Sequence, residues 1–134
     1  RGMSSAASDV YKRQVVAFGS DWFVTSGNPM LGIETAVTRK DPLTNISDDF
    51  LMHERISLAD AIAAYTINGA YVNFMEDESG SIEVGKYADL IVIDRNLFKI
   101  PETEISEANV VLTMLDGEMI YGSWDMKVLE KTAL

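Results

Sequence analysis

Asp21 is the residue of this sequence best placed for chemistry, because it follows an unbroken apolar run and a Gly-Ser pair. The run VVAF at 15–18 has the composition of a strand buried on both faces, as in a parallel sheet covered by helices. In such folds ligands bind, and catalytic groups lie, at the carboxyl ends of the strands. On the pattern alone, however, Gly-Ser-Asp is more often an ordinary turn in which the aspartate caps the next element.

Few other residue types in this chain can do chemistry. There is no cysteine, which excludes disulfides, thiolate metal ligands and thiol nucleophiles. His53 is the only histidine of the sequence, whereas a zinc site normally needs several His, Asp or Glu ligands that converge. We expect a surface or packing role for His53. The carboxylates of residues 76–78 could bind a metal, but a solvated charged turn is the better interpretation.

Charge and composition limit the class of function. The 134 residues are 47% hydrophobic and carry a formal net charge of -10, from 21 acidic and 11 basic side chains. This balance argues against nucleic acid and anionic membranes as partners. No apolar run is long enough to span a bilayer. We expect one globular domain, or the end of a larger one, in the cytoplasm.

The first predicted helix follows a loop. In that loop, core packing is the simpler role for Trp22 and Phe23, and a pocket wall is the alternative. Asn28 and Pro29 suit the N-cap and the first helical position, and apolar residues spaced three and four apart follow them. The helix should stop before Pro42, which restricts the residue before it.

A second helix is predicted from a capping-box pattern. Ser57 and Asp60 have the spacing of that motif, and apolar residues at helical spacing continue to residue 66. Asn68-Gly69 should end this helix, and residues 70–74 form a second short helical piece.

The last third of the chain changes to a strand-like period. Asp116-Gly117 is a two-residue hairpin signal, because both turn positions need a positive φ. The predicted strands are Ser81–Val84, Asp89–Asp94, Asn109–Leu115 and Glu118–Tyr121, with a turn at Gly85-Lys86. This part is therefore a small β-rich unit.

Three stretches together resemble a known family. GSIEVGKYADLIVID at 80–94, followed by TMLDGEMIY at 113–121, resembles the C-terminal signature of the metal-dependent amidohydrolase superfamily. SLADAIAAYTINGAYVNF at 57–74 is similar to the last barrel helix of that superfamily and the piece after it. VVAFGSDWFV at 15–24 resembles the eighth barrel strand of the amidohydrolase 3 branch, which contains N-substituted formamide deformylase-like enzymes.

The resemblance implies an α/β fold: the C-terminal end of a TIM (β/α)8 barrel, with its last strand and helices, followed by part of a composite β-sandwich. Residues 15–78 would be the barrel part and residues 79–134 the sandwich part. Residues 1–14 look like a non-native, adapter-derived tail, and a disordered natural tail is the alternative. Because a complete barrel needs about 250 residues, we expect this chain to be an inactive fragment of a longer parent, and marginal on its own.

The resemblance also assigns a role to Asp21. In the family this aspartate lies at the metal centre, takes a proton from the attacking water and delivers it to the departing nitrogen. Asp21 would thus be a catalytic residue and a metal ligand, with a divalent metal, expected to be Zn²⁺, held mostly by ligands outside the chain. Phe23 departs from the proline usual in this branch, which puts the shape of the loop in doubt. Asp89 would be a buried or half-buried acceptor for backbone amides.

The implied function is hydrolysis of a carbon–nitrogen, non-peptide bond of an amide-like small molecule by the parent, which could be a homo-oligomer. A deaminase or cyclic-amide hydrolase of the same superfamily is a second enzymatic possibility. The alternative from another class is a non-catalytic protein of the same fold that serves as an oligomerisation or partner-binding module.

Overall fold

The computed structural model describes residues 14–44 and 52–123. Helix α1 spans Pro29–Thr38 and contributes side chains to the core. The Asn28 side chain accepts a hydrogen bond from the Met30 amide at 3.0 Å, and Pro29 needs no such partner. The helix ends where Arg39 adopts a left-handed conformation, with φ of 56°, three residues before Pro42. The predicted cap, the first helical position and the stop before Pro42 are confirmed.

Helix α2, Leu58–Tyr65, also begins at its predicted cap. The Asp60 amide donates to the Ser57 hydroxyl at 3.1 Å, and this hydroxyl donates to the Asp60 carboxylate at 2.6 Å. The predicted end of this helix near residue 66 is confirmed, but the predicted start of the next helix at residue 70 is wrong. Thr66 breaks the helix with φ of -123° and ψ of -99°, and the next helix, α3, already begins at Ile67 and runs to Val72.

Asn68 and Gly69 therefore lie inside α3 and do not end α2. The physical reason is a distant contact. The Asn68 side-chain amide donates to the Val16 carbonyl at 2.8 Å, so this side chain fastens another segment to the helix. An asparagine can end a helix or bind a distant segment, and the sequence around Asn68 does not distinguish these two roles.

The core lies between α1, α2 and a 3₁₀ helix at Glu102–Glu107. Ile105 of the 3₁₀ helix is fully buried, and the small Ala61 and Ala64 let α2 approach its neighbours closely. Glu34 of α1 is also buried, and its carboxylate accepts from the Ser106 amide at 2.7 Å. The buried cluster consists of Met30, Ile33, Val37, Ala61, Leu97, Ile105 and Ala108.

A three-stranded antiparallel sheet follows, in the order β1 (Leu90–Ile93), β2 (Val110–Leu115) and β3 (Glu118–Gly122). The hairpin between β2 and β3 turns at Asp116 and Gly117, with φ of 49° and 79°. The positions of these three strands and the hairpin are confirmed. The chain thus has mixed α/β character with a small antiparallel sheet.

Two other predicted strands are wrong in the described part of the chain. Residues 81–84 form no strand, because this segment folds into a local turn. Gly85 has φ of 100°, and the Lys86 amide donates to the Glu83 carbonyl at 3.3 Å. The Lys86 ammonium then bonds the Ser81 hydroxyl at 2.7 Å and the Glu76 carbonyl. The turn at Gly85-Lys86 is confirmed.

The run at residues 15–18 is the other wrong prediction, because these residues have no regular secondary structure and belong to no strand. A strand needs a ladder of hydrogen bonds to a neighbouring strand. Here the backbone bond of this segment to another element goes from the Phe18 amide to the Ala64 carbonyl of α2, at 2.9 Å. Nor is the run fully buried, since Val15 is half exposed.

Several expectations concern residues that the structure does not describe. The proposed tail at 1–14 falls outside the described residues except for Gln14, as do residues 45–51 and 124–134. Within residues 14–44 and 52–123, no helix is long and apolar enough to cross a membrane.

Candidate functional site

The segment at residues 15–20, which leads to Asp21, contacts α2 and α3 at three points. The Phe18 amide donates to the Ala64 carbonyl of α2. The Val16 carbonyl accepts from the Asn68 side-chain amide of α3. The Phe18 ring also packs edge-on against Tyr65, with centroids 5.5 Å apart and planes at 69°. These contacts fix the approach of the chain to Asp21.

Asp21 itself opens a tight turn. Its carbonyl accepts from the Val24 amide at 2.7 Å, and its φ is 49°, a left-handed value that aspartate tolerates better than most residues. The Thr25 hydroxyl closes the loop by donating to the Ser20 carbonyl at 2.6 Å. The Asp21 side chain is exposed, and no described residue makes a hydrogen bond or ion pair with its carboxylate.

The turn presents apolar side chains to solvent. Trp22, Phe23 and Val24 are 76%, 85% and 72% exposed. The expectation that Trp22 and Phe23 pack in the core is therefore wrong, whereas their position in a loop is confirmed. The described core is formed by side chains from α1, α2, the 3₁₀ helix and the residues around that helix, and Trp22 and Phe23 lie outside it.

A cavity of about 480 Å³ lies between this loop and α1. Its lining includes Ser20 and Thr25 on either side of the Asp21 turn, Tyr65 of α2, and Arg39 at the end of α1. Burial raises the pKa of the Tyr65 hydroxyl. The Arg39 Nε is buried and has no hydrogen-bond partner among the described residues. Nothing in the sequence pattern marks Arg39 as a site residue, because it is simply the residue that ends a helix.

Asp41 also lines the cavity, but its carboxylate is engaged locally. It accepts from the Leu43 amide at 2.9 Å and from the Thr44 hydroxyl at 2.8 Å. Hydrogen bonding to the Leu43 amide, and then to Thr44, lowers the pKa of Asp41. Asp41 therefore acts as a turn cap in this structure.

The described residues do not by themselves fit a metal ion. No group of three His, Cys, Asp or Glu side chains converges anywhere within 14–44 and 52–123. Asp21 could supply one carboxylate oxygen. His53 is 63% exposed at its side chain and lies 3.3 Å from the Glu54 carboxylate, which confirms a surface role.

Asp89, which could be mistaken for a catalytic residue, has the structural role that was expected. Its Oδ1 accepts from the Asp116 amide at 2.7 Å, which ties the start of β1 to the hairpin turn. The expected burial is wrong, because the side chain is exposed.

The amidohydrolase family model matches residues 4–121. The chain belongs to the amidohydrolase family. Members of this family generally use a divalent metal. Within the family, the chain is 36% identical over 107 residues to the protein LONG AFTER FAR-RED 3 of Arabidopsis thaliana, an alignment of 80% of this chain and 18% of that protein. It is 38% identical over 68 residues to the N-substituted formamide deformylase of Arthrobacter pascens, over 51% of this chain and 12% of that enzyme.

The fold agrees with this family. The chain superimposes on a crystal structure of an amidohydrolase from Thermotoga maritima with a TM-score of 0.62, over 90% of this chain and 26% of that one, at 22% identity. The chain thus spans only 12–26% of the length of these three proteins.

Proposed function

We propose that this chain is the C-terminal part of a hydrolase that cleaves a carbon–nitrogen bond in an amide-like small molecule. Membership of the amidohydrolase family and similarity to an N-substituted formamide deformylase support this assignment. The observation that carries it is the Asp21 carboxylate, which is exposed on a tight turn and has no partner among the described residues.

In the proposed reaction, Asp21 moves a proton. Its carboxylate accepts a proton from water as the water oxygen bonds to the substrate carbonyl carbon. The protonated Asp21 then donates that proton to the nitrogen as the carbon–nitrogen bond breaks. The balance is one water and one amide consumed, and one acid and one amine or ammonia released.

For the divalent metal of the family we propose Zn²⁺. Most of its ligands would come from residues outside the described chain. Asp21 is the one residue that we assign to it here. We derive no catalytic step through the metal, because the described side chains do not form a complete binding site.

We also propose a domain architecture and a cellular location for the parent protein. Residues 15–78 would complete the end of a (β/α)8 barrel, and residues 79–134 would form part of a composite β-sandwich. In the barrel, residues 15–20 would gain the neighbouring strands that the described chain does not provide. The fragment alone would be inactive, and the parent would be a cytoplasmic protein, with homo-oligomerisation as a further possibility.

A non-catalytic binding module is the second candidate. The exposure of Trp22, Phe23 and Val24 on one turn favours it, since contiguous exposed apolar side chains mark interaction surfaces. β3 adds to this argument, because all five of its residues are exposed.

Amine release by the full-length parent distinguishes the two candidates. The panel would contain small N-substituted formamides and acetamides, both neutral and carboxylate-bearing, with the protein assayed before and after removal of divalent metal by a chelator. Hydrolysis that a chelator abolishes and added metal restores is the expected result. No release of amine from any member of the panel would contradict the enzyme proposal and favour the binding module.

A further inference from the structure

We propose that the cavity between the Asp21 loop and α1 binds the carboxylate of a small anionic molecule through Arg39. This inference rests on the proposed function, because the bound carboxylate would be part of the substrate. The binding event itself requires neither catalysis nor metal.

The first argument is the state of Arg39. Its side chain is half-buried, its Nε is buried without a hydrogen-bond partner, and no described carboxylate lies within ion-pairing distance of it. The Nε–H of this guanidinium is shielded from solvent, and proteins normally pair a buried donor of a charged group. A bound anion would supply the missing partner.

The second argument is the lining of the cavity. Arg39 is its one cationic side chain among the described residues, and the Asp41 carboxylate is occupied by Leu43 and Thr44. Phe18 and Tyr65 supply aromatic surface, and the volume of about 480 Å³ is within the usual range for small-molecule sites. Chemically, this combination suits a planar carboxylate attached to a small apolar group, because a guanidinium binds carboxylate through two parallel bonds.

The third argument is position. Phe18, Gly19 and Ser20 line the cavity immediately before Asp21, and Thr25 and Ser26 line it after the turn. A molecule held by Arg39 would therefore lie next to the turn that carries the proposed catalytic carboxylate. Arg39 would act as a specificity-determining residue by selecting substrates with a carboxylate at one end.

The charge of the chain makes the test selective. With a net charge of -10, the protein as a whole repels anions, so any preference for an anion must come from a local cation. Benzoate and benzamide have nearly the same shape and differ in charge. We would titrate the full-length parent with each of them and follow the Arg39 side-chain Nε–H by proton–nitrogen NMR.

The expected result is that benzoate saturates with a shift of the Arg39 Nε–H signal and binds about tenfold more tightly than benzamide. Arg39→Gln should abolish this preference, and Arg39→Lys, which keeps the charge without the planar fork, should retain part of it. Lys99→Gln is the matched control, because it removes the same charge from an exposed residue outside the cavity and should change nothing.

Equal binding of benzoate and benzamide, no binding of either, or an unchanged preference in Arg39→Gln would each overturn the proposal. Circular dichroism of each variant checks that it folds, and the Nε–H shift of the unmodified chain gives an answer even if a variant does not. Because this assay measures no turnover, benzoate binding by a parent that hydrolyses no amide would contradict the proposed function alone. Hydrolysis without anion preference would contradict this inference alone.

Discussion

The core around Ile105 and the turn around Asp21 differ in what holds them. Ile105 is fully buried in a cluster with side chains of α1 and α2, all of them among the described residues. The Asp21 turn is held by two hydrogen bonds to backbone carbonyls, those of Asp21 and Ser20. Trp22 and Phe23 in this turn are exposed. The first region stabilises the fold through buried contacts, whereas the second leaves apolar side chains exposed to solvent.

Substitution in the core should give the largest effect. Ile105→Ala should lower the free energy of unfolding by about 2–5 kcal/mol, because it leaves a cavity in a fully buried position. Urea denaturation measures this loss. Ile120→Ala on β3, where the side chain is 60% exposed, is the control and should cost no more than about 0.5 kcal/mol. Equal losses in the two variants would break the distinction between core and surface.

Substitution of Gly80, in the segment after α3, should give the next largest effect on stability. It has φ of 86°, and a Cβ placed there would lie 2.7 Å from the Ala70 Cβ and 2.9 Å from the Ile67 Cα. Gly80→Ala should therefore cost about 1–3 kcal/mol of stability. Gly69→Ala adds the same methyl group inside α3, where no atom other than the chain neighbours and the backbone of the helix itself lies within 4 Å, and should be neutral or stabilising by up to about 1 kcal/mol. A neutral Gly80→Ala would show that this contact is loose.

Asp94 offers a smaller effect with a defined pH dependence. Burial raises the pKa of this carboxyl, but hydrogen bonds from Asn109 and the ion pair with Arg95 outweigh burial, so the net shift is downward. The sign follows from linkage: a carboxyl whose pKa is lower in the folded state stabilises the fold above its unfolded pKa. That stabilisation is lost as pH falls through the folded pKa.

Asp94→Asn should consequently lower the free energy of unfolding by roughly 1 kcal/mol at pH 7, with the difference shrinking as pH falls below the ordinary aspartate pKa. Urea denaturation at several pH values measures this. Glu118→Gln, which neutralises an exposed carboxylate of β3, is the control. A difference that grows on acidification would contradict the assigned direction of the pKa shift.

The parts that sequence predicted correctly are those specified by neighbouring residues. The Asn28 cap, the Ser57–Asp60 pair and the Asp116-Gly117 turn each depend on hydrogen bonds or φ values within a few residues. The same is true of the change from helical to strand periodicity, which located all three observed strands.

The wrong predictions depend on partners that are distant in sequence. Whether residues 15–20 are a strand depends on a neighbouring strand, and whether Asn68 ends a helix depends on Val16, 52 positions earlier. The exposure of Trp22 and Phe23 likewise depends on what already fills the core. The presence of a loop at the site was predictable, whereas the half-buried, unpaired Arg39 was not, because its environment is created by three separate elements. The catalytic role of Asp21 stays a prediction.

The most direct test of the central claim is the turnover of Asp21→Asn in the full-length parent, measured alongside the stability of that same variant protein. The account predicts that kcat falls by at least about 100-fold while the free energy of unfolding changes by less than about 0.5 kcal/mol, because the carboxylate has no partner among the described residues. Asp77→Asn, on an exposed turn, should leave both unchanged. Wild-type kcat in Asp21→Asn would show that this aspartate is only a turn residue.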